Sequence, residues 1–296
     1  MTKNLLISNA TLSKYKHTYT ILEKIQFLSI DVVIGAVAVG YMATRLLEVV
    51  ATPMWWLILP MAVWVTYSLD HIVDSVKNKN EAVIDRHRFH YANRKPIIVM
   101  IVLVGLVTIL LSWLFLDDKI IIYGIALSII IGLYFALLYF LNTWKTALLQ
   151  KELIIAGIYT SGIFLAPLVW YGGAPPYYAI AVISSIFVLV WFEGIMISWF
   201  DYDNDIKDGH TSFTVIIGRR NTRRFLIVAH MLLEIMIITA LILISDKIAF
   251  YSLLIALIMN LLLGLIIMFP HRVSKNNYYR LLGEVVFFLP VMIVLV

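Results

Sequence analysis

Apolar residues in this chain run in long blocks, broken by short polar or Pro/Gly-rich hinges. A helix needs about 17–25 mostly apolar residues to cross a bilayer. Nine stretches meet that requirement: 26–44, 53–71, 95–116, 119–140, 153–171, 177–200, 223–244, 248–270 and 281–296. The hinges Asp117-Asp118-Lys119 and Gly172-Gly173-Ala174-Pro175-Pro176 are too polar or too rich in helix breakers to continue a helix through lipid. Pro96 suits a first helical turn. The pattern predicts an all-α membrane bundle of nine transmembrane helices forming a single domain over 1–296.

Basic residues orient the bundle. Of the 23 Lys and Arg residues, only Arg45, Lys119 and Lys247 fall on one side of a nine-span arrangement. The other 20 occupy the N-terminal arm and the loops after the second, fourth, sixth and eighth stretches. By the positive-inside rule the N-terminus is cytoplasmic and the C-terminus outside. The second and sixth stretches run in the same direction, and each ends in an acidic cluster followed by a basic loop. Either the chain holds two related halves, roughly 26–140 and 153–270 with a ninth helix at 281–296, or shared polarity rules shaped two unrelated ones.

Composition agrees with a membrane setting. Across 296 residues, 62% are hydrophobic and 14% charged, with a mean hydropathy of +0.92. The absence of cysteine excludes disulfides, thiolate metal sites and cysteine nucleophiles. A pI near 9.2 invites a nucleic-acid reading, but the basic residues lie between apolar spans and form no single soluble patch, so no nucleic-acid partner is expected. No cleavable signal peptide or lipidation box is expected either. The lipid bilayer is the expected surrounding, and the bacterial cytoplasmic membrane the expected location.

Two acidic segments carry the chemistry. In the first, Asp70, Asp74 and Asn78 are spaced i, i+4, i+8, so on a helix three oxygen-bearing side chains share one face, about 6 Å apart. In the second, Asp201 and Asp205 repeat the spacing, with Gly209 four residues on and Glu193 two turns deeper on the same face. Carboxylates this close repel unless a cation joins them, and oxygen donors with few histidines suit Mg²⁺. Mg²⁺ usually binds through one or two carboxylates plus substrate phosphates. Arg86, Arg88, Arg94, Lys145, Lys151 and Lys207 are candidate diphosphate ligands, with Arg219 and Arg220 nearby. Tyr67, Tyr134, Tyr139, Tyr159 and Trp191 are candidate pocket-lining aromatics for a lipid-soluble substrate bearing a diphosphate head.

Plainer roles compete. Single acidic clusters at helix ends are usually boundary charge; matched spacing on two same-direction helices argues against that here. Most intramembrane aromatics are belt or packing residues, and basic loop residues are often orientation signals.

At these residues the chain resembles the UbiA superfamily of intramembrane prenyltransferases. That family has nine transmembrane helices and two Asp-rich motifs, roughly N/D-x-x-x-D-x-x-x-D and D-x-x-x-D-x-x-x-D/G. From Asp201 through Gly209, Thr211 and Gly218 the second motif matches without a gap. The resemblance implies that Asp70, Asp74, Asn78, Asp201 and Asp205 hold Mg²⁺ on an isoprenyl diphosphate. Ionisation then releases diphosphate and leaves an allylic cation for a lipophilic acceptor or, in a cyclase of the same superfamily, for an alkene of the same chain.

The chain departs from the family pattern at four places: Asp70 replaces the usual Asn, Asn78 fills the third acidic slot, the loop from Asp85 to Arg94 is atypical of the quinone-pathway branches, and Asp31 sits in the first stretch where those members carry a base. A benzoate-type acceptor is therefore disfavoured. Acids inside a membrane are costly, about 2.5–3.5 kcal/mol at a helix centre, and are functional by default. Asp31 and Glu193, with Asp74 and Asp205, are accordingly the candidate catalytic residues. For Glu234 and Glu284, helix-to-helix hydrogen bonding is the expected role.

Three rivals fare worse. A CDP-alcohol phosphotransferase needs aspartates downstream of Gly218 that are lacking here, and a di-iron oxidase needs more histidine boxes than His87-x-x-His90. A transporter would place its polar groups near the membrane midplane rather than at the rim.

Overall fold

The computed structural model describes residues 19–78, 84–140 and 151–296. Lys145 and the side chains of Asn78 and Tyr139 lie outside the described residues. Among those described the chain is helical, without a strand. In order come α1 (Ile21–Phe27), α2 (Ile30–Leu46), α3 (Trp55–Asn78), α4 (Asp85–Ala92), α5 (Arg94–Phe115), α6 (Asp118–Phe140), α7 (Lys151–Tyr171) and α8 (Tyr177–Asp208). They are followed by α9 (Phe213–Ile217), α10 (Arg219–Leu243), α11 (Lys247–Met268), α12 (Pro270–Val273) and α13 (Tyr278–Val286). A 3₁₀ stretch over Leu289–Leu295 ends the chain.

Among the described residues, seven helices are long and apolar enough to cross a membrane, or eight if the bent pair α1–α2 counts as one. The remaining expected stretch, 119–140, coincides with α6. The first begins at Ile30 rather than 26. Ser29 adopts a left-handed conformation (φ 55°), and the chain bends by 63° between α1 and α2. Hydropathy cannot register such a break, because it lies in one backbone dihedral. The last stretch begins at Tyr278 and tightens into 3₁₀ geometry beside Pro290, which lacks an N–H.

Two helices form the centre. The helix α8 packs against α7, α10, α11 and α13, while α2 packs against α3, α7 and the terminal 3₁₀ stretch. Their shared core includes Ala36, Val39, Met42, Ile186, Leu189, Ile195 and Met196, all fully buried. The outer helices turn apolar side chains outward: Leu106, Ile109 and Trp113 of α5 and Ile129 and Leu133 of α6 are exposed. Side chains of that kind facing outward suit lipid rather than water. A buried polar pair joins α10 to α11: His230 Nδ1 lies 2.6 Å from Asn260 Oδ1, and Asn260 Nδ2 donates to the His230 carbonyl at 3.0 Å.

One close approach bears on the site. At Gly283 of α13, an added Cβ would stand 3.0 Å from Glu193 Oε1 and 3.2 Å from the Met196 methyl group of α8. A side chain at 283 would make the ends of Glu193 and Met196 give by a few tenths of an ångström.

Candidate functional site

Near the C-terminal ends of α3 and α8 the bundle encloses a cavity of about 250 Å³. Asp70, His71 and Asp74 of α3 line it, as do Glu193, Ile197, Asp201 and Asp205 of α8. The α8 residues recur every four positions, so one helical face presents them all. Lys151, Glu152 and Tyr159 of α7, Arg86 and His87 of α4, and Arg280 and Glu284 of α13 complete most of the wall. The helix α8 ends at Gly209, whose φ of 66° permits a Schellman-type closure: its N–H donates to the Ile206 carbonyl, and His210 N–H to that of Asp205. That turn returns His210, Thr211 and Ser212 to the cavity.

Each cluster has its own counter-charge. Lys151 Nζ stands 2.5 Å from Asp74 Oδ2 and 3.3 Å from Asp70 Oδ1, bridging the pair on α3. Asp201 pairs with Arg280 and accepts a short hydrogen bond from the Tyr279 hydroxyl. Asp205 joins no ion pair among the described residues and has Ser212 as a hydrogen-bond partner. Arg86 sits 3.0 Å from His71 Nε2, and its charge acts on Asp31, Asp70, Glu193, Asp201 and Glu284 alike. Ser29 Oγ holds the same His71 nitrogen at 3.0 Å, tying the break before α2 to the cavity wall.

Deeper in the bundle, Asp31, Glu193 and Glu284 are near enough for their charges to interact. Glu193 Oε1 is buried and makes no hydrogen bond among the described residues. Asp31 itself is buried behind the lining residue Val32, to whose N–H it is bonded.

A second, apolar cavity of about 540 Å³ lies among α3, α5, α6 and α7, lined by residues such as Trp55, Leu59, Ile109, Trp113 and Ile125. It shares Tyr67 and Tyr159 with the polar cavity. Tyr134 joins Tyr67 and Asp70 around a smaller space beside them.

Several expected site residues stand elsewhere. Trp191 is not in the cavity wall but packs on Phe192 and Phe225. It is two residues from Glu193, about 200° round the helix, and so faces the opposite way. Arg88 is engaged with Asp85, and Arg94 lies 4.2 Å over the Tyr91 ring and bonds its carbonyl. Lys207 is exposed on the last turn of α8, outside the wall. Of the six basic candidates, Arg86 and Lys151 line the cavity.

Conversely, Arg280, Glu284, Glu152, His71, His87 and His210 line it without having been singled out as site residues. Arg280 and Glu284 do share the four-residue spacing of the acidic motifs. Arg280, however, also counts among the orienting charges, and nothing local separates the two roles.

The donor set suits magnesium. All its candidate ligands are oxygens, and among the described residues no three cavity carboxylates bring oxygens within 4.8 Å of one another. Such a set forms no all-protein cage among the described residues, so an ion held there would need water or phosphate to complete its shell. No protein-family model, curated protein or solved structure matches this chain.

Proposed function

We propose that this chain is a divergent UbiA-type enzyme that ionises an isoprenyl diphosphate with Mg²⁺ and passes the prenyl group to a lipophilic acceptor. One observation carries the reading. Aspartates from helices far apart in sequence line a single cavity with three cations, and that cavity shares two tyrosines with an apolar space. A diphosphate head suits the first compartment and a prenyl chain the second. In this reading the nine stretches all span the bacterial cytoplasmic membrane, with the N-terminus and the polar cavity on the cytoplasmic side and the C-terminus outside.

The residues divide the work by position. Asp70, Asp74, Asp201 and Asp205 would hold Mg²⁺, which when bound supplies Lewis-acid stabilisation to the departing diphosphate. Lys151, Arg86 and Arg280 add fixed positive charge where negative charge develops. Tyr67 and Tyr159 stand where the two compartments meet, and aromatic faces there favour an allylic cation. The apolar walls exclude water that would otherwise quench it. Glu193, with Asp31 behind it, is placed to receive the proton an acceptor loses.

A second reading, intramolecular cyclisation, draws support from the deep acids. Asp31, Glu193 and Glu284 disfavour an anionic acceptor, whereas a cationic intermediate is stabilised beside them. Diphosphate release from geranyl, farnesyl and geranylgeranyl diphosphates, with and without Mg²⁺, tests both readings. Magnesium-dependent release is expected from at least one substrate; release from none overturns the assignment. Mass spectrometry of acceptor-free reactions separates the two, since cyclised hydrocarbon or alcohol selects the cyclase.

A further inference from the structure

Beside the cavity, three side chains that are not among the proposed Mg²⁺ ligands converge. His87, Asp208 and His210 each offer a ligand atom, and these atoms lie within 4.8 Å of one another. Around a tetrahedral zinc with bonds of about 2.0–2.2 Å, ligand atoms are spaced about 3.4 Å apart, so modest side-chain rotation closes the set. His87 is only 9% exposed, and its Nδ1 is buried without a hydrogen-bond partner among the described residues. Its ring centroid stands 5.0 Å from that of His210.

We propose that His87, Asp208 and His210 form a zinc site that pins α4 to the C-terminal end of α8 beside the cavity. Two imidazoles and one carboxylate select zinc over magnesium, and they leave a fourth position for water. The position gives the ion a structural task. The short helix α4 packs mainly on α3, with lesser contact to α1 and α5, whereas Asp208 and His210 flank the left-handed Gly209 that ends α8. A bond from His87 to that turn ties α4 to α8, and the packing of α4 on α3 extends the tie to the other helix that carries an aspartate motif. None of its ligands belongs to the set proposed for Mg²⁺, so the two ions are separable.

The test uses the full chain purified in detergent, with zinc alone as the probe. Elemental analysis after dialysis is expected to give one tightly held zinc per chain. X-ray absorption on the zinc-loaded wild type is expected to show two imidazole ligands, a readout that needs no variant. His87→Ala and His210→Gln should each weaken zinc binding at least tenfold, while Asp74→Asn with Asp205→Asn still holds one zinc per chain with two imidazole ligands. An all-oxygen zinc shell, zinc lost on the aspartate changes, or zinc held equally by wild type and the histidine variants overturns the proposal.

Discussion

The acidic ends of α3 and α8 look alike in sequence and differ in how the fold neutralises them. On α3 both aspartates share one ammonium, that of Lys151, drawn from the neighbouring α7. On α8 the first aspartate is held by Arg280 and Tyr279 from α13, and the second is in no ion pair among the described residues. The difference teaches that matched motifs need not be neutralised in the same way. Each end sets two carboxylates against one cation; on α3 the cation is shared by both, whereas on α8 it goes to Asp201 and leaves Asp205 outside any ion pair among the described residues.

The proposed chemistry needs both ends, so the largest effect should come from removing one acid from each. Asp74→Ala and Asp205→Ala should each lower turnover by about 10²–10³-fold or more, with the protein still folded and inserted. Chelation of Mg²⁺ should do the same to the wild type. Normal diphosphate release in either variant would break the comparison at its root.

Stability should then separate the two ends. Lys151→Met leaves two buried acids without their cation, and losing one partner of a buried pair costs about 3–5 kcal/mol. Thermal unfolding in detergent should show a marked drop, largely recovered by adding Asp70→Asn and Asp74→Asn. Arg280→Ala should cost less, because Tyr279 still bonds Asp201. An equal drop in the two variants would contradict the asymmetry. Glu193→Gln should shift the product distribution at unchanged KM, as read by mass spectrometry. Smallest of all, Lys207→Ala and Trp191→Phe should leave turnover within about twofold of wild type, since neither side chain lines the cavity.

Much of the site was readable from spacing. Four-residue intervals placed Glu193, Asp201 and Asp205 on one face of α8, and the helical wheel needs no tertiary information. The same wheel turns Trp191 away; grouping it with other aromatics by composition hid that. Arg280 was beyond reach for another reason. Its partner Asp201 is 79 residues distant, and only the packing of α13 on α8 joins them. The bend at Ser29 was equally silent, since one positive φ leaves no trace in hydropathy. The helical class of the chain follows from its apolar runs, while among the described residues seven helices, or eight with the bent pair, are long and apolar enough to span, against nine expected.

Gly283 turns helix spacing into a condition on charge. Its bare backbone works as a gauge block between α13 and α8, and one helical turn before it on α13 stands Arg280. A methyl group at 283 would press on the Glu193 carboxyl and the Met196 side chain, and overpacking of that kind costs about 1–3 kcal/mol. Pressure there would bear on the same helix, α13, that brings Arg280 to its aspartate, so a glycine behind the wall sets the spacing at which that cation meets Asp201.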